Sequence, residues 1–265
     1  RPISLLSIFY KLASACITKR IKPVLARLIG KEQKAYLPEN NIGSVIMNLI
    51  NMIHFCNTKK KEALILLVDF QKAFDSINHN YIDSVLKIYG FGESIRKWVR
   101  LFFDKREAVI LLGGHLSEKI FLRQGVPQGD VISPYIFLLV VEILSIKINY
   151  TKNLTGVVFA KNEARSEFFA DDLSAMVLRT KENLRYFSRI LDLFHAVSGL
   201  KCNLDKTFVV PVGSFAKETM CRDLNLKWVD SFTVLGITID NKLKHLQDNF
   251  QTIFEKVDKK NRELD

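Results

Sequence analysis

Two adjacent carboxylates, Asp171 and Asp172, stand between two apolar or β-prone runs, Ser166 to Ala170 and Leu173 to Leu178. Neither run contains Gly or Pro, so the stretch predicts a tight β-hairpin with the acids at its tip. Paired acids repel one another and are most easily kept ionised beside a cation; all-oxygen ligands suit Mg²⁺ or Mn²⁺. Alone, such a pair more often marks a solvated turn. A third acid strengthens the metal reading. Asp69 follows Ala63-Leu64-Ile65-Leu66-Leu67-Val68, an unbroken apolar run of the kind found in strands buried on both faces. An Asp at that point either caps a helix or occupies the carboxyl end of a strand, where open sheets place functional groups. If the two strands are neighbours, the three acids converge. Such a cluster can hold two divalent ions about 3.5–4 Å apart, which stabilise the attacking and leaving oxygens of a phosphoryl displacement.

The rest of the composition narrows the substrate. The chain has 39 Lys and Arg against 28 Asp and Glu, a net charge of +11, which favours a polyanionic partner over a small neutral one. Hydrophobic residues make up 48%, enough for a real core and too many for disorder. Cys16, Cys56, Cys202 and Cys221 lie far apart, without metal-ligand spacing, and read as free thiols. The five histidines are scattered. No P-loop, dinucleotide-binding glycine fingerprint or HExxH helix occurs. The longest apolar run, Val131 to Ile146, is broken by Pro134 and Glu142, so no membrane span is expected. The chain opens on Arg1-Pro2 without an initiator Met, which predicts a piece of a longer protein.

The elements that must position the acids are mixed. Helices are expected over 3–29, with Leu5, Phe9, Leu12 and Cys16 as its apolar positions, and over 41–57, where Ile42, Val45, Ile46, Leu49, Ile50 and Ile53 follow helical spacing. Two more are expected over 80–89 and 94–104, with Trp98, Phe102 and Phe103 in the core. Ala108 to Leu112, Gly113-Gly114 and Ile120 to Leu122 suggest a hairpin. Ser133-Pro134 reads as N-cap and first-turn proline of a helix to about Ile148. A helix over 181–198, strands over 207–210 and 234–239, and a helix from Leu243 onward complete an α+β pattern without regular βαβ winding.

Taken together, Leu67-Val68-Asp69-Phe70-Gln71-Lys72-Ala73-Phe74-Asp75, Gly125-Val126-Pro127-Gln128-Gly129-Asp130 through Ser133-Pro134, Phe169-Ala170-Asp171-Asp172, Gly199-Leu200-Lys201-Cys202-Asn203 with Lys206-Thr207, and Leu235-Gly236 resemble, in order, the palm motifs of reverse transcriptases, above all those of non-LTR (LINE-type) retrotransposons. The likeness runs from Arg1 to about Asp240. It implies a right-hand polymerase with an antiparallel-sheet palm, helical fingers and the start of a thumb. Residues 1–62 would form part of the fingers, 63–77 and 124–240 the palm, 78–123 a fingers insert, and 241–265 the start of the thumb.

The resemblance also implies roles. Asp69, Asp171 and Asp172 match the catalytic, metal-binding carboxylates, with the Phe70 backbone beside the metal and the incoming triphosphate. Phe74 matches the steric gate against a ribose 2′-OH; an ordinary core Phe is the alternative. Gln128 and Gly129 match the loop on the nucleotide and template, Arg1 the fingers arginine at the triphosphate. Lys206, with Lys201 as competitor, matches the lysine near the leaving pyrophosphate. Leu235 and Gly236 match the primer grip. Asp75 and Asp130 read as cap or loop residues. The implied cofactor is Mg²⁺, with Mn²⁺ as substitute. The implied partners are RNA template, DNA primer and dNTPs, without membrane. The implied location is intracellular, a cytoplasmic ribonucleoprotein with entry to the nucleus. One departure is Gln33-Lys34-Ala35-Tyr36, where the family has Gln-x-Gly-Phe. Two other readings remain open. One is an inactive chain that only binds nucleic acid; the other is an RNA-templated RNA polymerase, against which Phe74 argues.

Overall fold

The computed structural model describes residues 4–37, 41–104, 106–159, 162–214, 220–251 and 254–255. Helix α1 (Ile8–Leu28) starts where the Ser7 side chain accepts the Tyr10 N–H, and α2 (Ile42–Lys59) where Asn41 accepts that of Ser44. Strand β1 (Ala63–Val68) is buried along its whole length. The short α3 (Ala73–Ser76), α4 (His79–Ile88) and α5 (Glu93–Phe103) follow. Next comes an exposed hairpin in two nested pairs, β2 (Arg106–Ala108) with β5 (Ile120–Leu122) and β3 (Leu111–Leu112) with β4 (His115–Leu116). Helix α6 (Ser133–Tyr150) precedes the small β6 (Val157–Phe159) and β7 (Asn162–Ala164) pair. The acidic hairpin is β8 (Ser166–Phe169) and β9 (Asp172–Leu178). After α7 (Lys181–Ser198) come β10 (Phe208–Val212), β11 (Lys227–Trp228), β12 (Ser231–Val234) and β13 (Ile237–Asp240).

The central sheet has the order β11-β10-β1-β9-β8. All its pairings are antiparallel except the short β10–β11 pair, which is parallel. Because successive side chains alternate across a strand, β1 serves two cores. Leu64, Leu66 and Val68 face α1, α4, α5, α6 and α7, while Ala63, Ile65 and Leu67 face α2 and the β12–β13 hairpin. This explains the run without alternation. Helix α6 lies against both α1 and α7, and its residues Ile136 to Val141 are buried on every side. Among the described residues it is the one helix long and apolar enough to cross a membrane by length and composition, and it is a core helix here.

Several expectations are corrected. Helix α1 starts only at Ile8, so Leu5 precedes it; Leu5, Phe9, Leu12 and Cys16 are exposed, and the buried stripe of the helix is Ser14, Ile17, Thr18, Ile21 and Leu25. The two small hydroxyls can be buried because both are satisfied: Ser14 donates to Asp130 and Thr18 to the Ser14 carbonyl. Trp98 is 42% exposed, lying on Phe102, which with Phe103 is buried. Ser133 is the first residue of α6 and Ile132 its cap; the Ser133 hydroxyl turns to Asp130 instead of the helix end. The segment 234–239 is two strands, since Leu235 and Gly236 take positive φ (49° and 84°) and reverse the chain. The C-terminal helix begins at Asp248, with Phe250 and Phe254 exposed, while Ile253 and Val257 lie outside the described residues.

Candidate active site

In the β1–β9 register Val68 pairs with Leu173, so Asp69 and Asp172 emerge at the same end of the sheet. Asp172 pairs with Phe169 across the hairpin, leaving Ala170 and Asp171 as its turn. Ala170 has φ +56°, a left-handed conformation disfavoured for residues with a Cβ. Asp69, Asp172, Ser174, Lys206 and Leu235 line a cavity of about 210 Å³. Asp171 is half-buried on the turn and is not among the lining residues. Among the described residues no three His, Cys, Asp or Glu side chains stand close enough to hold a metal ion. Two of the three predicted acids therefore share a cavity, with the third on the adjoining turn.

The segment after α7 braces Asp69. Asn203 donates its side-chain N–H to the Asp69 carboxylate (3.0 Å) and its backbone N–H to the Asp69 carbonyl (2.8 Å). Gln71 N–H meets the Lys201 carbonyl at 2.8 Å, completing an antiparallel bridge between Phe70 and Cys202. Those bonds use the neighbours of Phe70, so its own N–H and C=O point away from Cys202. Phe70 itself is not among the residues that line the acid cavity; the carboxylate oxygens of Asp69 and Asp172, which do line it, are donors of the kind that suit Mg²⁺ or Mn²⁺. The Phe70 ring is buried against Phe194. Burial pushes the Cys202 thiol up, the Thr207 hydrogen bond opposes this, and nearby Asp69 and Asp192 add to it, so the thiol stays protonated beside the acids. Asn203 stands in a quoted motif yet received no role from sequence. Its partner lies 134 residues away.

Lys206 reaches the acid cavity, whereas Lys201 is not among its lining residues. Leu235 lines it too, and Gly236 forms the turn beside it. Phe74 is 8% exposed and stacks on the fully buried Phe137 at 4.5 Å between centroids. The glycine loop is tied to the Phe74 turn: Gly125 N–H donates to the Ile77 carbonyl and Val126 N–H to that of Phe74, each at 2.7 Å. Gln128 is half-buried, its carbonyl accepting from Ser4 N–H at 3.0 Å, and Gly129 takes φ +95°. Asp130 is a buried anchor, accepting from Ser14, Tyr10 (3.1 Å) and Ser133 (3.2 Å). Asp75 is exposed, with its backbone N–H on the Lys72 carbonyl. Arg1 lies outside the described residues. A larger cavity of about 650 Å³ between α4, α6 and α7, lined by Tyr81, Ile143 and Phe194 among others, contains none of these acids.

Residues 1–239 match the family model described as "Reverse transcriptase (RNA-dependent DNA polymerase)". The chain belongs to the reverse transcriptase family. Its relatives are non-LTR retrotransposon proteins. This reverse transcriptase domain is 27% identical over 81% of its length to the uncharacterized 149 kDa protein of transposon TX1 from Xenopus laevis. It is 26% identical over 94% to the Pol polyprotein of type-2 retrotransposable element R2DM from Drosophila melanogaster, and 24% identical over 97% to the RNA-directed DNA polymerase of mobile element jockey from Drosophila funebris. The chain spans 16%, 23% and 29% of those relatives. In structure the domain is similar to telomerase from Candida albicans in complex with a TWJ fragment of telomeric RNA, with a TM-score of 0.63 at 12% identity over 86% of this chain and 37% of that one. A C-terminally truncated apo telomerase from Candida tropicalis gives 0.61 at 15% identity over 89% and 46%. These likenesses establish the α+β polymerase fold.

Proposed function

We propose that this chain is the catalytic core of an RNA-directed DNA polymerase, extending a DNA primer 3′-OH with dNTPs on an RNA template. The observation that carries this reading is the placement of Asp69 and Asp172 at one end of the central sheet, in one cavity with Lys206. Asp69, Asp171, Asp172 and the Phe70 carbonyl would hold two divalent ions, Mg²⁺ or Mn²⁺. Bound there, such ions stabilise charge on the attacking and leaving oxygens of nucleotidyl transfer. Lys206 donates a proton toward the departing pyrophosphate. Gln128 and Gly129 support the nucleotide, Arg1 holds its triphosphate, and Phe74 crowds a 2′-OH. Leu235 and Gly236 hold the primer end. The net charge of +11 draws the template and primer. Residues 1–62 and 78–123 act as fingers, 63–77 and 124–240 as palm, and 241–265 as the start of the thumb. The protein works inside the cell, as a cytoplasmic ribonucleoprotein that enters the nucleus.

The test is primer extension by the purified protein on an RNA template with a DNA primer, in Mg²⁺ and separately in Mn²⁺. The expected result is template-directed incorporation of dNTPs in preference to NTPs. Equal use of both would favour an RNA polymerase. One observation favours a second reading: the three acids do not form a closed metal-holding group among the described residues. A chain that only binds nucleic acid would show salt-sensitive binding without any need for divalent metal, and no extension.

A further inference from the structure

Residues 32–34 lie alongside β8 as an added parallel edge. Phe168 N–H donates to the Glu32 carbonyl at 2.9 Å, and Lys34 N–H donates to the Phe168 carbonyl at 2.8 Å. Between them, Gln33 is 1% exposed. Its side-chain carbonyl accepts the Ala170 N–H at 3.1 Å and the Ala35 N–H at 3.0 Å. Its amide nitrogen donates to the Ala170 carbonyl at 3.4 Å. One side chain therefore engages both backbone groups of Ala170. That residue holds φ +56°, and the next two are Asp171 and Asp172.

We propose that Gln33 is a positioning residue of the active site, clamping Ala170 in its left-handed conformation and so fixing where the Asp171-Asp172 carboxylates stand. The inference rests on the reading of those acids as metal carboxylates. A primary amide suits the task because it carries an acceptor and a donor on one planar group, matching a backbone N–H and C=O together. A carboxylate offers only the acceptor, and a thioether leaves the buried N–H without a good partner. The segment that resembles the family's Gln-x-Gly-Phe stretch thus reaches inward to the acidic turn through its glutamine. Its partner lies 137 residues away, and no spacing rule would have paired them.

Glycine adopts positive φ without the Cβ penalty, so Ala170→Gly should release the turn from its dependence on the amide. That supplies a discriminating test. The purified wild type, Gln33→Met and Gln33→Met/Ala170→Gly are compared in two ways: hydrogen exchange of the Ala170 amide without metal, and single-nucleotide extension across a Mg²⁺ titration. Gln33→Met should accelerate Ala170 exchange and raise half-saturating Mg²⁺ by about tenfold, as expected for a lost buried hydrogen bond. The double variant should recover most of the Mg²⁺ dependence, which relief of a general folding defect would not produce. If Gln33→Met does not fold, Gln33→Glu takes its place, with a smaller change in the same direction because the acceptor is kept. Unchanged Ala170 exchange, unchanged half-saturating Mg²⁺, or a loss that Ala170→Gly leaves unrepaired would overturn the inference. A wild type that binds template but never extends would instead refute the functional reading, and the exchange data would still decide whether Gln33 holds the turn.

Discussion

Gly125→Ala tests how tightly the glycine loop is locked to the turn after Asp69. Gly125 has φ +80°, and a Cβ built there would stand 2.6 Å from both Cα and O of Asp75 and 2.7 Å from its carbonyl carbon. Those are backbone atoms, held by Gly125 N–H on Ile77 O and by Val126 N–H on Phe74 O, so they cannot swing aside. His79 (2.8 Å) and Arg106 (2.6 Å) also bond the Gly125 carbonyl and resist rotation of the peptide. The left-handed backbone costs about 1–2 kcal/mol with a Cβ, and overpacking costs about 1–3 kcal/mol. The combined loss of roughly 2–5 kcal/mol should lower Tm by about 4–20 °C for a chain of this size. Gly90→Ala is the matched control, because Gly90 has φ +78° and nothing within 4 Å of the built Cβ. Thermal melts by circular dichroism should show a clearly larger fall for Gly125→Ala. Equal falls, or none, would refute the claim that close approach to Asp75 makes glycine necessary. Because Gln128 and Gly129 lie three and four residues further along, a folded Gly125→Ala protein should also show a raised KM for dNTPs.

Glu142 is buried with a carboxylate oxygen on the Gly30 N–H (3.0 Å). Burial raises its pKa to about 7, opposed by the Gly30 hydrogen bond and assisted by Glu32. The folded protein therefore binds a proton more tightly than the unfolded chain, and this group's contribution to stability falls as pH rises from about 4.5 to 7, by roughly 3 kcal/mol in total. Burial of His79 lowers its pKa and acts in the opposite sense below pH 6.5. The difference between wild type and Glu142→Gln in urea titrations at several pH values isolates the Glu142 slope, and a flat difference would contradict it. Asn203→Ala removes the brace on Asp69 and should slow extension by about tenfold, the weight of a charge-assisted hydrogen bond, with little change in Tm. Undiminished extension would deny the brace a role. Phe74→Val should raise ribonucleotide incorporation relative to dNTPs and, with the Phe137 stack lost, cost about 2–4 kcal/mol in chemical denaturation. Unaltered nucleotide discrimination would return Phe74 to a purely core role.

Much of this architecture is legible locally. The unbroken 63–68 run became a strand buried on both sides, and the uninterrupted runs flanking Asp171 and Asp172 became a hairpin, because each pattern is satisfied by one local geometry. Where the reading failed, tertiary partners decided. Helix α1 buries Ser14 and Thr18 instead of Phe9 and Leu12, since hydroxyls with partners on Asp130 and on the helix itself can be buried at little cost. The 234–239 run reverses because Leu235 takes φ +49°, a conformation that leucine does not announce. Sequence could single out Asp69, Asp171 and Asp172 as candidates, but not the amides that bond to Asp69 and to the turn before Asp171. Asn203 and Gln33 meet Asp69 and Ala170 only after more than a hundred intervening residues have folded.

The most direct test of the central claim is extension of a DNA primer on an RNA template by wild type, Asp69→Ala and Asp171→Ala side by side in Mg²⁺, with folding and template binding measured on the same samples. The acid set predicts dNTP-dependent extension by the wild type and its loss in both variants, each still folded and still binding RNA. Extension by either variant at the wild-type rate would contradict it.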